Sequence, residues 1–256
     1  MATLVNPIHK KEKAARNSPG RFLEVSARSL LLLEGKDGQD LLQRLSTNDV
    51  AKLEIGRVTQ TILTNDKGKI VDVLSVIKRA ENSLLLSCQT EGEGTRKWLE
   101  KYIIMEEATV TDVTSTYSHF LFYEIEEALP TLIQPSFSFP ESWGNARVHH
   151  VIVPSAMKER LERELDNRSL KAGSMQEFTA FRVAERIPAF PNELSTAYNP
   201  LEAGLTDLVS FTKGCYIGQE VIARLDTYKK VQRTLVPLEL EAPVDQVPTS
   251  IHDERE

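Results

Sequence analysis

The chain has 256 residues, 41% hydrophobic and 27% charged, close to the globular average, which excludes wholesale disorder, collagen and coiled-coil classes. A net charge of −6 argues against a non-specific nucleic-acid coat, and no apolar run approaches the roughly 20 residues of a membrane helix. Two cysteines can neither build a disulfide framework nor alone ligate a structural zinc, which points to a reducing compartment.

In chain order, residues 1–21 carry Lys10, Lys11, Lys13, Arg16 and Arg21 against Glu12, with no apolar signal core, and read as a basic flexible tail. Arg28 to Leu33 is predicted to form a strand ending at Gly35. Asp37 then stands at an N-cap position before Leu41, Leu42 and Leu45, the apolar stripe of a short helix ending near Asn48. Val58 to Thr64 and Lys69 to Ile77 are β-rich runs joined by Asn65-Asp66-Lys67-Gly68, a hairpin signal with Gly68 free to take positive φ. Leu84 to Cys88 is a further strand. Thr90 and Glu93 have capping-box spacing ahead of a helix carrying Trp98, Ile103 and Ile104. Thr109 to Val113 and His119 to Tyr123 return to strand. Strands in antiparallel pairs with helices between them predict an α+β fold rather than a doubly wound parallel sheet.

Pro130, Pro135 and Pro140, with Phe137 and Phe139 between, read as a crossover between two lobes. Val148 to Val153 is predicted as a strand and Ser155 to Leu165 as a helix. Ser174 and Glu177 form a second capping box, heading a helix with Phe178 and Phe181. Residues 186–204 read as a long loop, and 239–256 as an acidic tail. Cys88 in its apolar strand reads as a core thiol. His149 and His150, adjacent on a strand, point to opposite faces and do not make a metal pair, while His119 stands alone. Asp37 and Asp72 have either capping or binding roles open to them.

One segment stands out. Val209 to Phe211 reads as a short strand, followed by Thr212-Lys213-Gly214-Cys215-Tyr216-Ile217-Gly218-Gln219-Glu220 and a helix through Arg224. Glycines bracketing a cysteine at a strand-to-helix turn allow close backbone approach to a ligand. A thiol beside Lys213 and near a helix N-terminus is expected to ionise easily, and Gln219 and Glu220 to hold the loop. The alternative is a tight turn around a buried thiol. The segment 211–233 is net positive, which suits either an anionic ligand or a solvated helix face.

Lys213 to Glu220, followed by Arg224, resembles the signature of the YgfZ-type folate-binding proteins. Gly35-Lys36-Asp37, Thr47-Asn48-Asp49-Val50, Gly68-Lys69-Ile70 with Asp72, Arg186-Ile187-Pro188 and Pro200 to Leu205 extend the likeness over about residues 22–236. The resemblance implies an α+β aminomethyltransferase-like folate-binding fold. Its two α+β lobes and C-terminal β-barrel surround a folate channel. Residues 22–56 with 144–230 would form a discontinuous first lobe and 57–143 an inserted second. About 20 residues beyond 236 stand where relatives carry the barrel, so 231–256 is expected to be a barrel remnant and acidic tail, the barrel largely missing and the channel open or closed by a partner.

The resemblance also implies a role in iron–sulfur protein assembly, maintenance or repair, with linked tRNA modification. Tetrahydrofolate or a derivative would be the ligand, with no tightly bound metal. Cys215 and Lys213 would be the chemical residues, and Gly214, Tyr216, Gly218, Gln219, Glu220 and Arg224 the signature loop. Folate contacts are assigned to Phe178, Arg28, Asn48, Asp72 and Glu202. A gapless match on Leu84 to Cys88 and Trp98 puts Thr95 where the transferases carry a catalytic Asp, which argues against glycine-cleavage activity. A folate-dependent one-carbon transferase is the alternative, with Asp72, Glu202 or Glu220 replacing that acid. Partners would be folate and iron–sulfur assembly or client proteins, without direct nucleic-acid or membrane binding, in a monomer or weak dimer. The compartment would be bacterial cytoplasm or, alternatively, mitochondrial matrix.

Overall fold

The computed structural model of the chain describes residues 2–4, 20–125, 133–143, 146–168, 170–236 and 238–240. It divides into two units, 18–234 and the chain ends at 1–17 and 235–256. The larger unit is built on two five-stranded sheets.

The first sheet uses β3 (Leu30–Glu34), β4 (Val58–Thr64), β5 (Ile70–Ala80), β6 (Ser83–Cys88) and β7 (Thr109–Asp112) in the order β4-β5-β6-β3-β7, all antiparallel. Its strands read as unbroken apolar runs because both faces are covered. Leu31, Leu33, Leu74, Val76, Leu84, Leu86 and Cys88 pack with Leu41, Leu42 and Leu45 of α1 (Gly38–Leu45) and Leu99 of α2 (Gly92–Glu100). The alternate residues Leu30, Ile77 and Leu85 point the other way, where they meet Phe139 and Ile152 of the second sheet.

The second sheet contains β2 (Arg21–Glu24), β8 (Tyr117–Tyr123), β9 (Phe137–Trp143), β10 (Ala146–Pro154) and β11 (Lys171–Ala172), ordered β11-β2-β8-β10-β9. All its pairs are antiparallel except β11 with β2. Its outer face, through Phe120, Phe122, Val151 and Val153, packs on Leu161 and Leu165 of α3 (Lys158–Asp166). The layers therefore run helix, sheet, sheet, helix. A third cluster joins Ile62, Ile70 and Val73 to Leu121, Tyr123, Trp143 and Val148. It gathers in Phe178 and Phe181 of α4 (Met175–Ala184), the segment 187–216, and Ile222 of α5 (Gln219–Thr227).

Several expectations change. The strands do not divide as 22–56 with 144–230 against 57–143: β3 hydrogen-bonds to β6 and β7, while β8 and β9 flank β10. Cross-strand pairing, invisible in local sequence, sets these boundaries. Phe137 to Trp143 is a strand rather than part of a crossover, with Pro140 opposite His149 on the sheet edge, where a missing N–H is tolerated. The residues 126–132 of that expected crossover lie outside the described residues. The Ser174–Glu177 capping box is present, with both reciprocal bonds. The Thr90–Glu93 box is not: Glu91 occupies the cap position and the Thr90 hydroxyl is spent on Asp72. Ile103 and Ile104 lie beyond the end of α2, and residues 209–211 are not a strand.

In the smaller unit, β1 (Ala2–Leu4) pairs antiparallel with β12 (Leu238–Leu240). So residues 2–4 are strand rather than tail, and β12 is a single strand within the stretch expected to be a barrel remnant. The basic residues 10–16 and the acidic residues 241–256 lie outside the described residues. Among the described residues, β12 is the one strand that follows β11.

Candidate functional site

The Lys213–Glu220 signature is a knot rather than an open loop. Gly218 has φ +83° and begins α5, a conformation that favours glycine. A Cβ there would stand 2.5 Å from the Asn65 carbonyl oxygen and 2.9 Å from the Gly68 Cα. Two backbones approach this closely because the β4–β5 hairpin turns on Asn65 to Gly68. The Asn65 side chain accepts from Lys67 and Lys69 N–H, and Gly68 takes φ +66°. The Thr64 hydroxyl donates to the Ile217 carbonyl at 2.6 Å. Tyr216 is buried in the third cluster. Gly214 is exposed, with open space where a Cβ would go.

Lys213 is buried, and its ammonium donates to the carbonyls of Gln43, Ser46 and Asn48 at 2.6, 2.7 and 2.8 Å. Those are unpaired carbonyls at and beyond the C-terminus of α1, where a cation also meets the negative end of the helix dipole. Burial pushes the ammonium down to about 8, so it remains largely protonated at neutral pH. All three of its N–H donors are committed to carbonyls. Cys215 itself is exposed and free. Glu220 and Arg224 are exposed. The loop is held by Lys213, Thr64 and Gly218, rather than by Gln219 and Glu220.

A second feature is a cleft of about 600 Å³ between the inner edges of the two sheets, α4 and the segment 187–191. Phe178, Leu121, Val148 and Ile187 give it apolar walls, while Arg28, Gln89, Glu91, Glu141 and Arg182 supply polar groups. Phe178 is set edge-on to Tyr123, with centroids 5.3 Å apart. Of the residues expected to contact folate, Phe178 and Arg28 line this cleft. Asn48, Asp72, Glu202 and the signature residues are not among its lining.

Those three have structural duties. Asn48 donates to the Gln60 carbonyl. Glu202 accepts from Asn199 N–H, Lys69 and Arg233, tying the 199–202 turn to the hairpin and to the chain leaving α5. Asp72 is fully buried, accepting from the Val73, Gln89 and Thr90 amides and from the hydroxyls of Thr90 and Thr95 at 2.8 and 2.6 Å. Burial raises its carboxyl even so. Thr95 is therefore turned into this buried knot and is not among the residues lining the cleft.

Beneath the cleft lies a buried network that local sequence reading missed. Glu141 is 2% exposed and accepts from Arg28 at 3.1 Å, Ser75 at 2.8 Å, Trp143 Nε1 at 3.0 Å, His150 Nε2 at 3.2 Å, and the Gln89 amide. Burial alone would raise its carboxyl. The Arg28 guanidinium, His150 and the Ser75 hydroxyl hold it well below the usual range. An ionised carboxylate only accepts, so His150 Nε2 carries the proton. Burial lowers His150 and, with His150 beside it, lowers His119 further, so both are neutral. His150 Nδ1 then accepts from His119 Nε2 at 2.8 Å, and His119 Nδ1 is left buried without a partner. His119 is thus not alone. The signal was present in strand alternation: Phe139, Glu141 and Trp143 share one face, as do Val148, His150 and Ile152. Among the described residues no group of three His, Cys, Asp or Glu side chains could hold a metal ion. Nor is any described helix long and apolar enough to cross a membrane.

Residues 3–122 match the GCVT N-terminal domain family. The chain is 28% identical to an aminomethyltransferase of Listeria monocytogenes serotype 4a over 96% of this chain and 75% of that one. It is 26% identical to one of Caldanaerobacter subterraneus subsp. tengcongensis over 91% of this chain and 69% of that one. The glycine cleavage system aminomethyltransferase T of Bartonella henselae superposes with a TM-score of 0.69 at 17% identity, covering 82% of this chain and 64% of that one. The chain thus spans about two thirds to three quarters of the length of these proteins. These likenesses support the aminomethyltransferase-like superfamily, and the fold is aminomethyltransferase-like.

Proposed function

We propose that the protein binds tetrahydrofolate or a derivative in the cleft between its two sheets. It serves as a folate-dependent factor in iron–sulfur protein assembly, maintenance or repair, with linked effects on tRNA modification, and uses the thiol of Cys215. The observation that carries the reading is a cleft of about 600 Å³ with an aromatic wall at Phe178 and an arginine at Arg28, while Thr95 lies outside its lining. That volume suits a small-molecule site. The apolar walls fit a pteridine ring, and Arg182 fits the anionic tail. Binding without a transferase acid suits a ligand that tunes or orders the protein more than one that turns over.

Cys215 supports the second half of the reading by being free, exposed and fixed on a rigid knot. One thiolate is too few to hold a cluster, so the client or assembly partner supplies the remaining ligands, with the cluster as cargo. Ligand-dependent melting with 5-formyltetrahydrofolate tests the binding half; a Tm unchanged at millimolar ligand refutes it. Complementation of a strain lacking the gene tests the thiol: Cys215→Ala is expected to fail in restoring a cluster-dependent enzyme, and full rescue refutes the role. A second reading, one-carbon transfer, is favoured by Glu91. This cleft carboxylate is exposed and makes no side-chain cap bond. Methylene transfer to a nucleophile that disappears in Glu91→Gln would establish it.

A further inference from the structure

The polar wall of the cleft has a pattern of its own. Glu141 lines it but has nothing left to offer a ligand: Arg28, Ser75 and Gln89 occupy Oε1, and Trp143, His150 and Gln89 occupy Oε2. What it does is orient two neighbours. Arg28 donates Nε–H to the Cys88 carbonyl at 2.9 Å and Nη2–H to Glu141, which leaves the guanidinium with further N–H groups uncommitted among the described residues. Gln89 must turn its amide nitrogen to the acceptor-only carboxylate, which fixes the orientation of the amide. Its Oε1 is then an acceptor without a partner among the described residues. Donor and acceptor hang side by side on the same oxygen, Glu141 Oε1, and both line the cleft.

We propose that Arg28 and Gln89 together read the lactam edge of a planar heterocycle. The guanidinium donates to the ring carbonyl and the Gln89 oxygen accepts the adjacent ring N–H. Phe178, Val148 and Ile187 supply the apolar surface for the ring faces. Within the folate reading, on which the choice of ligand rests, the edge is that of the pteridin-4-one. Purine lactams such as hypoxanthine share the chemistry. Glu141 is the positioning residue: its carboxylate, itself held by Ser75, Trp143 and His150, prevents the amide from flipping and presenting a donor instead.

Calorimetric titration of the full chain separates the possibilities with four probes: 5-formyltetrahydrofolate, 6-hydroxymethylpterin, its N3-methyl analogue and hypoxanthine. N3-methylation is expected to weaken pterin binding by roughly tenfold or more, because it removes the donor and leaves the Gln89 oxygen unpaired. Gln89→Leu should bind both pterins equally, at the weaker level. The comparison of the two pterins on the unaltered protein stands even if that variant does not fold. Equal binding of the two pterins to the unaltered chain overturns the lactam inference and leaves folate binding intact. Failure of folate and pterins with Gln89-dependent binding of hypoxanthine supports the lactam edge and overturns the folate reading. Failure of all four overturns both.

Discussion

Replacing Glu141 with Gln tests the network beneath the cleft through a change of two atoms' chemistry. The amide oxygen can replace only one carboxylate oxygen. The amide nitrogen must then face a donor, either Arg28 and Ser75 on one side or Trp143 Nε1 and His150 on the other. Arg28, with its side chain 13% exposed, loses its counter-charge whichever way the amide turns. Removing one member of a buried ion pair costs about 3–5 kcal/mol. The histidines offset some of this, since His150 can release Nε2–H and pass its proton to Nδ1 while His119 moves its own to the orphan Nδ1. We therefore expect a loss of about 3 kcal/mol for Glu141→Gln. Arg28→Met should cost a similar amount by leaving the carboxylate short of a donor, and the double variant should cost at least about 1 kcal/mol less than the sum. Urea unfolding followed by tryptophan fluorescence reads this directly, because Trp143 is part of the network. A single-variant loss below about 1 kcal/mol, with strict additivity, would refute the reasoning.

Four further outcomes follow from the same geometry. His119 and His150 are held neutral by burial, so below the unfolded pKa of about 6.5 the unfolded chain binds protons that the folded chain does not. Stability then rises with pH in this window, and the urea midpoint should be lower at pH 5.5 than at pH 7.5; a flat profile contradicts it. Gly218→Ala should cost about 2 kcal/mol or more, from positive φ plus a Cβ at 2.5 Å from a backbone oxygen. Gly56→Ala, with φ +79° but open space, should cost about 1 kcal/mol; equal losses in urea titration would discount the backbone clash. Lys213→Met should uncap the end of α1 and cost about 2–3 kcal/mol, read by thermal unfolding, whereas a variant of unchanged Tm would show the three carbonyl bonds to be dispensable. Thr95→Asp should destabilise the fold without creating aminomethyl transfer, because the new carboxylate would sit on the buried Asp72; a stable, active variant would overturn the placement.

The parts of this molecule legible in sequence are those fixed by short-range physics. The Leu30–Leu33 run reads as a strand because covering both sheet faces leaves no polar position to confuse the pattern. The Asn65–Gly68 turn and the Ser174–Glu177 box carry their geometry in residue types at fixed spacing. The Lys213–Glu220 signature was visible as a motif, yet its physical sense was not. Charge proximity in sequence suggested a lysine acting on its neighbouring thiol, while the fold sends that lysine to three carbonyls more than 160 residues away in the chain. The same limit explains Glu141. Three prolines marked its surroundings as a crossover, and only the pairing of β9 with β10 turns Glu141 inward beside Phe139 and Trp143. Position matching had a subtler failure. Matching Thr95 to the place of a catalytic acid rests on spacing alone, and it could not reveal that the side chain is turned into a buried knot with Asp72. The carboxylate that faces the cleft from the β6–α2 turn is Glu91, four residues earlier, at the N-cap of α2. An acid displaced by one helical turn approaches a bound ligand from a different side. A search for transfer chemistry therefore belongs at Glu91, and a search for ligand recognition at Arg28 and Gln89.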